Sequence, residues 1–465
     1  MKKDCKIIEG IVVLLCIFGT AHATIWYVHP DSTLNSIQTG LNYCSANDTV
    51  LVASGTYFEH IQWPLVESIK LLSESGYDST IIDGNSGGRI ITMPGSFIID
   101  STTVIKGFTL QNGFSSSGGA ISFFHASPKI TGNKLVNNYA SGGGGAIHSH
   151  NANPIIIGNI ISKNHAGSGG GIYLTTEDKS IMLLTKGNRI LSKINNNIIA
   201  NNEADWGGGI FWYNEWFTEF KGNVITDNHA SCGGGIFCFY AESCIMSDNA
   251  ITANSADSAG GGIYLLEYTG YITYNTIANN NAGIQGDGIY CDGYGGPYPM
   301  TFNYNNIYDN GCGLYNALIS QTQIDAEYNW WGDSTGPYHP DSNPGGLGDT
   351  VSDYVDFDPW LLFPGIEEYK TSQPVATILQ ISPNPFRDRV TIKFSMEHSA
   401  EVIELKIYDA TGRLVRQWGH TTMRLSDHIS WDGTDHANRK LPSGVYFLKF
   451  ETGDYSATEK LLLIK

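Results

Sequence analysis

The sequence predicts an all-β chain: a right-handed parallel β-helix of roughly nine coils, each about 26 residues, followed by a small immunoglobulin-like β-sandwich. Three observations lead there. A triple-glycine motif recurs with one period, a pair of asparagines recurs in register with it, and no helical periodicity lies between them.

The chain opens with Lys2, Lys3 and Lys6 ahead of an apolar run from Ile7 to Phe18 and an Ala21-His22-Ala23 cleavage pattern. That order predicts an export signal over residues 1–23, with the mature chain starting at Thr24. The apolar run is shorter than the ~20 residues a bilayer requires, and no later segment is longer, so no membrane span is expected in the mature chain. Residues 24–104 read as an N-terminal cap and first coils, 105–363 as the β-helix, 364–373 as a linker, and 374–465 as the sandwich.

Within the helix the glycine motif precedes Ile147, Ile172, Ile210, Ile236, Ile263, Ile289 and Leu314, at intervals of 25, 38, 26, 27, 26 and 25. Asn133, Asn159, Asn197, Asn223, Asn249, Asn275 and Asn305 form the second marker, each followed five residues later by Asn138, Asn164, Asn202, Asn228, Asn254, Asn280 and Asn310. Between them run short β-branched segments, about three per repeat, each too small to bury its own apolar side chains. Stacked coils pair strand on strand in parallel and share one core. Asparagine suits corners because it tolerates left-handed backbone angles, and its amide can bond the equivalent amide one coil away. Both ladders are assigned to structure, since every coil carries them.

Composition excludes several functions. The 54 Gly do not follow a collagen period, and a net charge of −18 argues against nucleic-acid binding. Residues 222–369 contain no Lys or Arg and 18 Asp or Glu, so that stretch repels polyanions. Six cysteines remain beyond the export signal, spaced unlike common zinc sites; they are read as buried thiols or one or two bridges.

The stretches Asp48 to Tyr57, Thr80 to Gly84 and Gly107 to Gly113, with the closing Asn329-Trp330-Trp331-Gly332, resemble the right-handed β-helix superfamily that includes pectin-active enzymes. The resemblance implies the fold and leaves the activity open. No catalytic motif of its lyases aligns, and no coil after Lys221 supplies their basic residue, so a hydrolase is favoured over a lyase if the chain is an enzyme. Pro383-Asn384-Pro385-Phe386, Ile407 to Arg413, Leu441 to Tyr446 and the terminal Leu461 to Lys465 resemble the C-terminal sorting domain of type IX secretion. That resemblance implies the type IX secretion machinery as partner and an extracellular or outer-surface location. The same turns also occur in immunoglobulin-like adhesive modules.

An outward position after each glycine turn holds His148, Tyr173, Phe211, Phe237, Tyr264, Tyr290 and Tyr315. Stacked coils place such rings about 4.8 Å apart, a column that can stack on sugars or pack on itself. Carboxylates in the following loops, Glu177, Asp178, Glu215, Glu219, Glu242, Glu267 and Asp292, are candidates for acid–base work on a glycosidic bond or for calcium. The interval of 38 carries an insertion near Thr175 to Lys193, followed by a coil containing Phe211, Trp212 and Trp216, which marks a candidate cleft. The reading is a polysaccharide- or cell-surface-glycan-binding protein with Tyr173, Phe211, Trp212, Trp216, Phe237, Tyr264 and Tyr290 as ligand-binding residues. A polysaccharide-degrading enzyme and a rod-like adhesin are the alternatives.

Overall fold

The computed structural model describes residues 23–176, 192–214, 218–294, 299–318 and 321–364, and in the C-terminal part 378–382, 384, 386–387, 389–395, 404–409, 413–418, 426–436, 439–451 and 456–464. The expected export signal, all but Ala23, lies outside these residues, as do most of the insertion and Glu177, Asp178, Glu215 and Trp216. The chain forms two compact units, Met1–Ile366 and Glu367–Lys465.

The first unit is a right-handed β-solenoid of about eleven turns. The additional turns come from N-terminal coils that carry neither glycine triplet nor asparagine ladder. A six-residue helix, Ile37–Asn42, caps the unit; the Ser36 side chain accepts from the Thr39 N–H at its start. Among the described residues the coils build four parallel sheets of 13, 10, 7 and 12 strands, here A, B, D and C in the order a coil visits them. One coil runs Lys129–Thr131 in A, Lys134–Val136 in B, Tyr139–Gly143 in D and Ile147–His150 in C, then enters A again at Ile155–Ile157. Equivalent residues pair: Ile130 with Ile156, Leu135 with Ile161, Ile147 with Ile172. Each of these isoleucines and leucines is fully buried in one continuous core.

Corners follow one rule, a residue with positive φ. From D to C it is the first glycine of the triplet, such as Gly233 (φ 65°). The second glycine answers to space: a Cβ on Gly234 would lie 2.2 Å from the Ser255 carbonyl oxygen.

The asparagine ladders do something other than turn the chain. Left-handed angles belong to the residue before each asparagine, for example Gly158, Asn196 and Gly222, whereas Asn159, Asn197 and Asn223 are not among the positive-φ residues. The ladder asparagines point inward and are almost wholly buried. Asn197 donates from its backbone N–H and its amide to Asn223 Oδ1, both at 3.0 Å, and from the same amide to the Ile156 carbonyl at 2.9 Å. The expected coil-to-coil amide bonding is therefore present, while the left-handed role is one residue out. An inward amide satisfies buried corner groups that the strands cannot reach. One ladder ends on Asp349, which accepts from the Asn310 N–H and amide.

The second unit is an antiparallel pair of sheets: Ile378–Ser382, Val390–Ser395 and Ser426–Trp431 in one, Leu414–Trp418, Glu404–Asp409, Gly444–Glu451 and Ser456–Leu463 in the other. Phe386, Trp431, Tyr446, Leu448 and Leu461 lie in its own core. The sequence pattern marks strands at Val390 to Phe394, Val402 to Tyr408, Ile429 to Trp431, Val445 to Phe450 and Thr458 to Ile464; Ile378–Ser382 and Leu414–Trp418 are two more.

Candidate functional site

Sheet C alternates strictly. In Ile210–Tyr213, Ile210 and Trp212 point inward and are fully buried, and Tyr213 is partly exposed. Trp212 meets Phe220 edge to face, centroids 5.1 Å apart. The expectation that Trp212 binds a ligand is thereby overturned: the two-residue strand period turns it into the core.

The outward column forms as expected. His148, Tyr173, Phe211, Phe237, Tyr264, Tyr290 and Tyr315 occupy equivalent register positions, with successive centroids 5.1, 5.2, 5.2, 4.6, 4.9 and 5.5 Å apart. Its centre is closed to ligands, however. Phe211 and Phe237 are 8% and 3% exposed, packed with Leu266, Tyr213, Cys232 and Phe239 in a second apolar cluster, and Trp206 meets Phe237 edge to face. Their ring faces are spent on one another, so these two residues cannot stack on a sugar. Tyr173, Tyr264 and Tyr290 are partly buried members of the same stack.

Accessible chemistry lies at the adjoining corner, where sheet C turns toward A. Tyr240 and Glu267 hold that corner in successive coils with φ of 54° each. Tyr240 is 40% and Tyr294 67% exposed. Asp292, in register with Leu266, accepts from the Tyr264 hydroxyl at 3.0 Å and from the Gly293 N–H at 2.7 Å. Glu267 accepts from the Tyr294 N–H at 3.4 Å. Burial and then the Asp292 charge push the Tyr264 hydroxyl far up; the same causes raise Tyr290 to about 12. Desolvation followed by Glu267 raises Tyr240. Tyr264 and Tyr240 therefore stay protonated and donate to Asp292 and Glu267. Glu242 is exposed at the start of a sheet A strand in the preceding coil.

Glu219 is taken up by sheet A, bonded to the Asn195 amide at 2.5 Å and 3.9 Å from Lys193 Nζ. Among the described residues no three His, Cys, Asp or Glu converge in a way that would hold a metal ion. All six cysteines beyond the export signal are free thiols, four of them buried.

A row outside the sequence expectations runs along sheet D, on the residue after each second-ladder asparagine and, one coil earlier, on Phe114 after Gly113. Phe114, Tyr139 and His165 stack there at 5.0 and 5.3 Å. His165 then faces Glu203 at 3.8 Å, and His229 faces Asp257 at 3.6 Å. Trp206 is 45% exposed beside them. The residue after each second-ladder asparagine is a column legible in the sequence from Tyr139 onward; Phe114 joins it only through its register with Tyr139.

Residues 183–327 match the family described as a right handed beta helix region, and residues 380–465 match the secretion system C-terminal sorting domain. No curated protein matches the chain. Among solved structures, PorZ of Porphyromonas gingivalis, described as an essential bacterial surface component of the type-IX secretion system, is 26% identical, over 19% of this chain and 11% of that one, with a TM-score of 0.15. The chain thus spans about a tenth of that structure's length.

Proposed function

We propose, on the premise of a right-handed β-helix that carries a type IX secretion sorting domain, that this exported surface protein binds neutral carbohydrate at the corner between sheets C and A in residues 236–294. One observation carries the reading: Tyr240 and Tyr294 offer exposed rings beside two carboxylates, Glu267 and Asp292, that hydrogen bonds already orient. Carbohydrate sites combine a ring face for the C–H side of a sugar with fixed acceptors for its hydroxyls. The class follows from charge. With no Lys or Arg across residues 222–369, an acidic glycan meets repulsion without a counter-charge.

The sorting domain is the part that engages the secretion machinery. A second reading, hydrolysis, is favoured by the same two carboxylates, which stand on consecutive coils and supply the two carboxyl groups that glycoside hydrolysis uses. The test retains the mature chain on neutral and acidic polysaccharides while reducing ends are counted. Retention on neutral polymers, lost in Tyr240→Asn and Glu267→Gln, is expected. New reducing ends would establish the hydrolase, and retention on none of the polymers would leave the adhesin reading.

A further inference from the structure

The corner between sheets A and B is left-handed in consecutive coils. Gly107, Gly132, Gly158, Asn196, Gly222 and Asp248 hold it first, the residue types that accept such angles. The next three coils depart from that choice: Tyr274, Tyr304 and Tyr328 occupy the corner at φ of 59°, 61° and 56°. A bulky side chain there strains the backbone, and strain retained in consecutive coils points to a use for the side chain. The three rings form an open ladder, centroids 5.3 and 5.5 Å apart and planes within 11°, and are 57%, 42% and 39% exposed. Unlike the column on sheet C, they have no apolar cover among the described residues.

Beside the ladder, the outer face of sheet A carries Tyr271, 59% exposed, then Thr301, Asp325 and Asp356 in successive register positions. Asp325 stands directly opposite Asp356 on the neighbouring strand, an arrangement of like charges that costs stability. Glu327 and Asp358 follow two residues further along each chain, and residues 222–369 supply no Lys or Arg to offset them.

We propose that this tyrosine ladder is a docking surface for a cationic peptide segment, an extended chain bearing Lys or Arg. The ring faces are turned to one another, which leaves edges and hydroxyls outward and disfavours a stacked sugar. Phenol oxygens and carboxylates accept from ammonium or guanidinium N–H groups, and the aliphatic stems of Lys and Arg lie along the ring edges. The charge of the surface matches that occupant and no anionic one. This surface centres on the A–B corner, at the other end of the sheet A strands from the glycan corner, and its argument does not use that reading.

Binding of an alternating Lys-Ser octapeptide to the mature chain, by calorimetry at low and high salt, tests the assignment, with an all-Ser octapeptide as control. The decisive variant is Tyr274→Asn with Tyr304→Asn. It leaves the charge unchanged and places at the corner the residue that Asn196 already shows to be tolerated, so the fold is retained. Affinity for the Lys-Ser peptide is expected to fall at least tenfold in the variant and to fall with salt in the parent. Affinity within twofold of the parent would overturn the proposal, since attraction by net charge alone would then suffice. Equal binding of the all-Ser peptide would overturn it as well. A lowered thermal midpoint with unchanged binding would assign the ladder to packing instead.

Discussion

Replacing Asn223 with Ala probes what holds the coils in register. Asn223 is 1% exposed, and its Oδ1 accepts from the Asn197 N–H and the Asn197 amide, both at 3.0 Å. Its own amide donates to the Ile194 carbonyl at 2.7 Å and to Asn249 Oδ1 at 3.0 Å. Truncation leaves two buried donors on Asn197 without an acceptor and takes a donor from Ile194. At about 1–3 kcal/mol for each of the two stranded donors, the expected loss is roughly 2–6 kcal/mol. Stability in a solenoid is shared with nearest neighbours, so the loss should concentrate in the coils around residues 197–249. Amide hydrogen exchange in those coils, with urea unfolding of the mature chain, reads it. Asn201→Ala is the control: Asn201 is an exposed corner residue at φ 55°, where the change costs about 1 kcal/mol of backbone strain. Equal effects at the two positions would refute the claim that the ladder acts through buried amides.

Phe237→Ala should lower stability by about 3–4 kcal/mol in urea unfolding, because it empties a closed stack, yet leave glycan retention intact. Retention lost with the fold intact would return the column to the binding site. His148 is held neutral: burial, then His150 and Arg89, bring it from 6.5 down to about 4. With the folded value depressed, its contribution is present above 6.5 and lost as pH falls toward 4, roughly 3 kcal/mol in all. His148→Phe, which keeps a ring beside Tyr173, should flatten the stability profile in that window; an unchanged acid midpoint would contradict the assignment.

The period of the glycine triplets and asparagine pairs was enough to read a parallel β-helix, because a coil that cannot bury its own side chains must repeat its corners. It also located the column from His148 to Tyr315, since register in a parallel stack carries equal positions onto each other. The N-terminal coils were less legible: Val50, Leu71 and Ile105 continue the core without either marker. Which asparagine angle is left-handed was misread by one residue. The sequence shows which residue types sit at a corner, while backbone handedness depends on where the carbonyls of the next coil lie.

The candidate site divides along the same line. Period two alone sends Trp212 inward, and that was available from Ile210 as its neighbour in phase. The burial of Phe211 and Phe237 was not, because Leu266, Cys232 and Trp206 reach them from other coils and another sheet. Likewise Glu267 and Asp292 are scattered carboxylates in the chain, and only the stacking of two coils brings them to one corner with Tyr240, Tyr264 and Tyr294. The sequence by itself determined the repeat, the parallel stacking and the acidic charge of residues 222–369, all of which depend on local pattern and composition. Only the tertiary structure decided which aromatic rings remain open to a partner, because exposure depends on what neighbouring coils and the adjoining sheet lay over them.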